Sequence, residues 1–176
     1  MGEFYKALEY INDIFYKPSR LTINSIEEEA QNKIYGGGKF KLESLSIAKT
    51  IRFRIAKITP NKTGQFVAFW EKDANNNNQA YDYEDAPDLL VINTFKENNF
   101  GQFIFPKEVL LKHNILKTES SKGKMGIRVY PIWDRPTSHQ AMKTQQWQLE
   151  YFINMKDIKD EDIKGIIVKA YLFNID

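Results

Sequence analysis

A short apolar run in the middle of the chain constrains the fold more than any other feature of the sequence. Positions 89–92 read Leu-Leu-Val-Ile, between Asp88 and Asn93. A strand with one solvated face alternates apolar and polar side chains, whereas a strand buried on both faces is apolar throughout. The run therefore predicts a strand inside a sheet that other layers of structure cover on both sides.

Further strands are predicted before and after this run. Residues 49–57 alternate, so that Ile51, Phe53 and Ile55 lie on one face of a strand. Arg52 and Arg54 then lie on the other face. The remaining predicted strands cover residues 39–44, 64–72, 101–105, 125–133 and 165–173.

Both ends of the chain have helical patterns. Spacings of three and four residues predict a first helix whose apolar stripe is Phe4, Leu8, Ile11 and Phe15. Pro18 would end that helix. Further helices are predicted at residues 26–34 with Ser25 as cap, at 106–114, and at 137–155 with Thr137 or Ser138 as cap. Helices around a strand-rich centre indicate an α/β or α+β fold with a central mixed sheet.

The size and composition of the chain indicate a single domain. It has 176 residues, 42% of them apolar, which is enough for one hydrophobic core. We expect a helical region at 1–35, a core at 39–153 and a C-terminal extension at 156–176. The absence of cysteine excludes disulfides, thiolate zinc sites and cysteine nucleophiles. No apolar run approaches 18 residues and no signal-peptide block is visible, so we expect a cytoplasmic protein without membrane insertion.

Asp88 is the starting point for a nuclease interpretation. A restriction-type site needs two acids and a lysine at the ends of adjacent strands, where the carboxylates hold Mg²⁺. Asp88 opens one strand and Lys107 follows the next, but Phe105 stands where the second acid is needed. The nearest polar residue in that strand is Gln102. Because the motif is incomplete, we expect that the protein is not an enzyme. We also expect no cofactor, and Mg²⁺ would be bound only under the nuclease alternative.

Basic and amide side chains form a second, larger set of candidates. Lysine and arginine neutralise phosphates, glutamine can contact base edges, and tyrosine can stack on bases. The same residues could instead form an ordinary solvated surface. The candidates for nucleic-acid binding are Arg52, Arg54, Lys57, Lys62, Gln65, Lys124, Arg128, Tyr130, Lys143 and Gln145.

Four segments resemble the MepB-like family. They are AKITPNKTGQFVAFWEKD from residue 56, APDLLVIN from 86, FGQFIFPKEVLLKHNIL from 100 and KGKMGIRVYPIWDRPTSHQAMKTQQWQLEYF from 122. The resemblance covers roughly residues 35–153. It implies a fold similar to type II restriction endonucleases, a nucleic-acid partner, and a link by gene neighbourhood to multidrug efflux regulation.

Three hypotheses about function follow. The leading one is a protein with a catalytically degenerate nuclease-like fold that binds DNA or RNA through the basic and amide set. The first alternative is a Mg²⁺-dependent nuclease around Asp88 and Lys107. The second is a protein-interaction module with no nucleic-acid role.

Overall fold

A computed structural model describes residues 1–45, 47–156 and 158–172, except for the side chain of residue 163. The helices are α1 (Glu3–Ile11), α2 (Lys107–Lys112), α3 (His139–Gln148) and α4 (Glu161–Leu172). The strands are β1 (Thr22–Glu28), β2 (Gly38–Ser44), β3 (Ile47–Ile55), β4 (Lys57–Ile58), β5 (Gln65–Ala68), β6 (Glu71–Lys72), β7 (Asn78–Gln79), β8 (Leu89–Lys96), β9 (Asn99–Pro106), β10 (Gly126–Val129) and β11 (Phe152–Asn154). No described helix is long and apolar enough to cross a membrane.

A six-stranded mixed sheet forms the centre of the molecule. Its strand order is β1-β2-β3-β8-β9-β11, and β3 and β8 are the parallel pair. Residues 89–94 of β8 are all buried, as its apolar run predicts for a strand between two layers. The predicted α/β class with a central mixed sheet is confirmed. A smaller sheet, β10-β5-β4, and the β6-β7 hairpin lie beside it.

The sheet separates two hydrophobic cores because strand side chains alternate between its faces. The first core packs α1 and α4 against Phe53, Val91 and Ile104. The second packs the small sheet, α2 and part of α3 against Phe103 and Phe105. Each core therefore has its own set of helices, and the two outer surfaces of the protein differ.

The first helix forms as its apolar spacing predicts. Phe4, Leu8 and Ile11 are buried on α1, and the chain continues as a π-helical turn, Asn12–Tyr16, that buries Phe15. The Phe4 ring lies directly over Gly38 at the start of β2, where a β-carbon would collide with it. Helix α1 thus sits close to the sheet only because residue 38 has no side chain.

The helix predicted at residues 26–34 is wrong. Residues 22–28 form β1, and only a 3-10 turn, Lys33–Tyr35, is helical in this segment. Ser25 does not cap a helix but has a φ of 51° at a bulge in the β1–β2 pairing. Acidic residues in the first turn of a helix are favourable, which made this segment look helical. Glu29 instead forms ion pairs with two buried arginines, so tertiary contacts override the local preference.

The C-terminal prediction of a strand at 165–173 is also wrong. Residues up to Leu172 belong to α4, and residue 173 lies outside the described residues. The stretch is rich in β-branched residues, which favour strands. However, Ile167 and Tyr171 are four residues apart and both fully buried, a helical spacing against the first core.

The helix predicted at 137–155 is shorter than expected. Ser138 caps α3 as predicted, since its hydroxyl accepts a hydrogen bond from the Ala141 amide. The helix ends at Gln148, and β11 then pairs with β9 at the edge of the sheet. The predicted strands at 64–72 and 125–133 are likewise shorter, as β5 and β10.

Buried hydrogen bonds connect α4 to the sheet. The Tyr171 hydroxyl donates to Gln102 Oε1 at 2.6 Å and accepts from the Tyr16 hydroxyl at 3.0 Å. Both tyrosines are fully buried, and this burial raises the pKa of each phenol. Gln102 also donates to Asn93 Oδ1, so the chain of bonds runs from the π-helical turn to β8.

We expect Tyr171→Phe to destabilise the protein by about 1–3 kcal/mol, because it leaves the buried oxygen of Gln102 without its donor. Urea denaturation followed by circular dichroism measures this change. Tyr10→Phe is the matched control, since the Tyr10 side chain is half exposed. Equal stability of the two variants would show that the bond to Gln102 contributes nothing.

Candidate nucleic-acid interface

Two of the predicted site residues, Arg52 and Arg54, lie inside the protein. Their side chains are 9% and 0% exposed, and both make ion pairs with Glu29, at 2.8 and 2.6 Å. Arg54 also donates to the Tyr81 hydroxyl and to the carbonyls of Phe53 and Ala68. The prediction that the two arginines share a strand face is confirmed, but Arg54 has no solvent-accessible route to a phosphate.

Glu29 is the charge partner of both arginines. Burial alone would raise the pKa of its carboxyl, but the charges of Arg54 and Arg52 and their hydrogen bonds outweigh burial, so the pKa is lowered. The Tyr81 hydroxyl donates to Glu29 Oε2 at 3.0 Å, and burial raises the pKa of this phenol. We call Glu29, Arg52, Arg54 and Tyr81 the buried arginine cluster.

Three further candidates have structural contacts in the interior. Gln65 is fully buried, and its amide donates to the Phe95 carbonyl. Tyr130 is buried beneath the turn at Gly64. The amide of Gln145 donates to the carbonyls of Tyr130, Pro131 and Asp134, which holds α3 against the segment after β10. These contacts occupy the amide groups that base recognition would need.

The remaining candidates lie at the surface. Lys57 forms an exposed ion pair with Glu3 at 2.8 Å. Lys62, Lys124 and Lys143 are exposed, and among the described residues none of the three has an ion-pair partner. Arg128 is half-buried and donates to the Thr59 hydroxyl at 2.9 Å and to the Thr63 carbonyl at 3.4 Å. Arg128 thus connects β10 to the turn that carries Lys62.

One cavity of about 220 Å³ lies between the end of α2, β10 and α3. Its lining includes Lys124 and Arg128 but, among the lining residues that the structure describes, no carboxylate. Trp147 forms one wall, with its ring stacked on His113 at a centroid distance of 3.7 Å and an angle of 10°. Lys143 lies one helical turn before Trp147 on α3.

Burial and neighbouring lysines disfavour a charged His113 in this cavity. Partial burial lowers the pKa of His113, and the charges of Lys112 and Lys124 lower it further, against a smaller opposing effect of Glu150. A neutral histidine stacked on tryptophan forms an uncharged aromatic platform with cations beside it.

A second cavity of about 510 Å³ lies beyond the Arg128 contact. Lys62, Lys96 and Arg135 line it, together with Asn61 and Trp133. Its one carboxylate among the described lining residues is Asp134, which is 5% exposed and binds Lys96 at 2.8 Å. This hydrogen bond and the charge of Asp134 raise the pKa of Lys96. We call the surface around both cavities the basic face: Lys62, Lys96, Lys124, Arg128, Arg135 and Lys143.

The nuclease candidates do not form one site. Asp88 Oδ2 accepts hydrogen bonds from the amide and hydroxyl of Thr50, at 2.8 and 2.9 Å. The Lys107 backbone amide donates to the Asp88 carbonyl, but the Lys107 ammonium lies over the Tyr83 ring at 4.7 Å. Gln102 is fully buried in the middle of β9, opposite Asn93. Within the described chain, no three of the acidic, histidine and cysteine side chains converge as a metal site would require. Asp88 thus fastens the start of β8 to β3.

Sequence reasoning missed the His113–Trp147 stack and the contributions of Lys96 and Arg135. His113 and Trp147 are 34 positions apart, on different helices, so no local periodicity relates them. Arg135 could have been identified weakly as a surface residue, because it lies between Asp134 and Pro136 in a segment rich in turn residues.

Comparisons with known proteins identify the family of the chain. The model of the MepB-like family matches residues 29–154. The chain belongs to the MepB-like family. The crystal structure of MepB is similar with 38% identity and a TM-score of 0.72, over 88% of this chain and 97% of that one. The structure of a bacterial homing endonuclease is similar at 12% identity and a TM-score of 0.44, over 81% of this chain and 92% of the other. No curated protein matches.

We expect Glu29→Gln to destabilise the fold by about 3–5 kcal/mol, because it leaves two buried guanidinium groups without a counter-charge. The lowered pKa of Glu29 means that its stabilisation is present above the unfolded-state pKa and is lost as pH falls through the folded-state pKa. Urea denaturation between pH 3 and 7 should therefore show a flatter acid dependence in this variant.

Glu27→Gln is the matched control for that experiment. Its carboxylate is 69% exposed and lies 3.6 Å from Lys39, and exposed pairs contribute at most about 1 kcal/mol. If both variants lost the same small amount of stability, Glu29 would not be neutralising a buried charge.

We expect Lys124→Gln to raise the pKa of His113, because it removes one of the positive charges that disfavour protonation of the imidazole. An NMR titration of the His113 ring protons measures the shift. Lys169→Gln, on the opposite side of the sheet, is the control and should leave the titration unchanged. An unchanged His113 titration in Lys124→Gln would show that Lys124 does not lower the pKa of His113.

Proposed function

We propose that this protein binds nucleic acid, DNA or RNA, through the basic face. The observation that carries the proposal is the charge of the two cavities: five cationic side chains line them, and their one described carboxylate, Asp134, is buried against Lys96. A surface on which cations outnumber acids attracts a polyanion, because each phosphate contact releases condensed counterions.

The rigidity of the basic face supports this proposal. Arg128 is held by two hydrogen bonds to the turn at residues 59–63, and Gln148 bonds to the backbone of residues 128 and 130 on the adjoining strand. Cations fixed in this way lose little conformational entropy when they meet phosphates. Lys62, Lys124 and Lys143 extend from this rigid base into solvent.

Aromatic side chains give the same surface a means of contacting bases. The His113–Trp147 stack lies beside Lys124, and Trp133 lines the second cavity. Bases stack on such rings with little regard to sequence, at about 1–3 kcal/mol for each base. The glutamines that might read base edges, Gln145 and Gln148, are occupied by backbone contacts. The proposal is therefore for binding with low sequence specificity.

The proposal is for binding without cleavage. Asp88 is engaged with Thr50. Its backbone neighbour Lys107 extends its ammonium over the Tyr83 ring, and the β9 residues before Lys107, Phe105 and Pro106, are apolar. Cleavage of plasmid DNA with Mg²⁺, abolished by Asp88→Ala, would contradict this part of the proposal and favour the nuclease alternative.

We expect micromolar or weaker binding to short duplex and single-stranded oligonucleotides that falls steeply as salt rises. Fluorescence anisotropy at several salt concentrations gives the slope. Lys62→Ala and Lys124→Ala should each lower the slope by about 1, since each removes one phosphate contact. The double variant should lower it by about 2.

Lys169→Ala is the matched control, because Lys169 is an exposed lysine on α4, which covers the other face of the sheet. Its affinity and salt slope should equal those of the unmodified protein. Binding that is independent of salt, or a double variant that binds as tightly as the control, would refute the basic face as the interface.

A further inference from the structure

The guanidinium group of Arg52 is held in one orientation inside the protein. Its central carbon lies 3.6 Å above the centroid of the Tyr81 ring, and its Nε donates to Glu29 Oε1 at 2.8 Å. The ring fixes the plane of the guanidinium and the carboxylate fixes its rotation within that plane. Such a group is preorganised, so any further hydrogen bonds that it makes cost little conformational entropy.

The outer edge of this guanidinium has no partner. Neither Nη atom of Arg52 makes a hydrogen bond to any part of the chain that the structure describes. Among the described residues, the buried side-chain atoms that lack a hydrogen-bond partner belong to Ser19, Asn32, Gln65 and Trp133. Because the Nη atoms of Arg52 lack a partner and are not in this set, they are accessible to solvent. Arg54 differs, because its two Nη atoms bond to Phe53, Glu29 and Tyr81. The free edge of Arg52 is the exception in this cluster.

That free edge opens onto a cavity of about 280 Å³ between β1, β2, β3 and the segment before β8. Lys39, Lys41, Ser25 and Thr50 line the same cavity. It also contains two acids, Glu27 and Asp85, but neither forms an ion pair with Arg52, and Glu27 lies beside Lys39 at 3.6 Å. The three cations in the lining exceed these two carboxylates by one.

The excess of one positive charge originates in the buried arginine cluster, which shares Arg52 with this lining. Arg52 and Arg54 contribute two positive charges, Glu29 contributes one negative charge, and burial keeps Tyr81 neutral. A buried charge without a counter-ion is costly. An anion in the cavity would remove this imbalance.

We propose that this cavity is a binding site for a phosphate group, held by the two Nη atoms of Arg52 and by Lys41. The forked edge of a guanidinium matches two oxygens of a phosphate with parallel, charge-assisted hydrogen bonds. Thr50 lies in the lining, although its hydroxyl is already bonded to Asp88. The site is distinct from the basic face, because none of the residues of that face line it.

Isothermal titration calorimetry with inorganic phosphate, at constant ionic strength set with chloride, tests the site. We expect saturable binding of one phosphate, weakened on the order of tenfold or more in Arg52→Lys, which keeps the charge but loses the fork. Adenosine monophosphate, titrated in parallel, distinguishes a free phosphate from one carried by a nucleotide. Binding of either at Arg52 supports the site.

A variant at the surface tests the site even if the buried variant Arg52→Lys misfolds. Lys41 is exposed, so Lys41→Ala should fold normally and weaken phosphate binding several-fold, whereas Lys6→Ala on α1 should not change it. The basic-face variants Lys62→Ala and Lys124→Ala should leave phosphate binding intact, which separates this site from the proposed nucleic-acid interface. Absence of saturable binding, or equal affinity in Lys41→Ala and Lys6→Ala, would overturn the proposal.

Discussion

The ion pairs between Glu29 and two arginines determine how one edge of the sheet is assembled. Glu29 follows β1, both arginines are on β3, and Tyr81 comes from the segment between β7 and β8. A buried ion pair contributes little net stability compared with apolar packing, but removing one member leaves an uncompensated charge. The cluster therefore acts mainly as a constraint. The edge strand, the central strand and the loop before β8 must all be in place before the whole set of ion pairs and hydrogen bonds is complete.

This constraint explains where local patterns predicted the fold and where they failed. Strands β3, β8 and β9 were predictable because each buries a regular side-chain pattern against a core, and the sequence alone contains that pattern. β1 was not, because its residues are half exposed at the edge and their strand conformation depends on where Glu29 must lie. α4 was mistaken for a strand because its β-branched residues outweighed a helical spacing of only two fully buried residues.

The candidate nucleic-acid interface was also predictable where local patterns decide and unpredictable where tertiary contacts decide. Alternation correctly placed Arg52 and Arg54 on one strand face, but a polar face of a strand is solvated only if nothing packs against it. Here Phe69 and Tyr81 cover that face, and the arginines became interior groups. Residue type alone was enough to identify four of the surface candidates, Lys62, Lys124, Arg128 and Lys143. The sequence did not indicate that they lie on the same face of the protein. That grouping depends on the hydrogen bonds from Arg128 to Thr59 and Thr63, which are 69 and 65 positions away in sequence.

Asp88 has a structural role next to the cavity onto which Arg52 opens. The Asp88 carboxylate accepts hydrogen bonds from the amide and the hydroxyl of Thr50. The Asp88 amide in turn donates to Thr50 Oγ1, so the two residues form a reciprocal pair between β3 and the start of β8. Thr50 in turn lines the cavity onto which Arg52 opens. The Asp88 carboxylate holds two parallel strands in register, and the neighbouring cavity is lined by three cations and by two acids, Glu27 and Asp85. Under the phosphate site that we propose, Arg52 would hold an anion at this part of the sheet while Asp88 keeps the two strands in register.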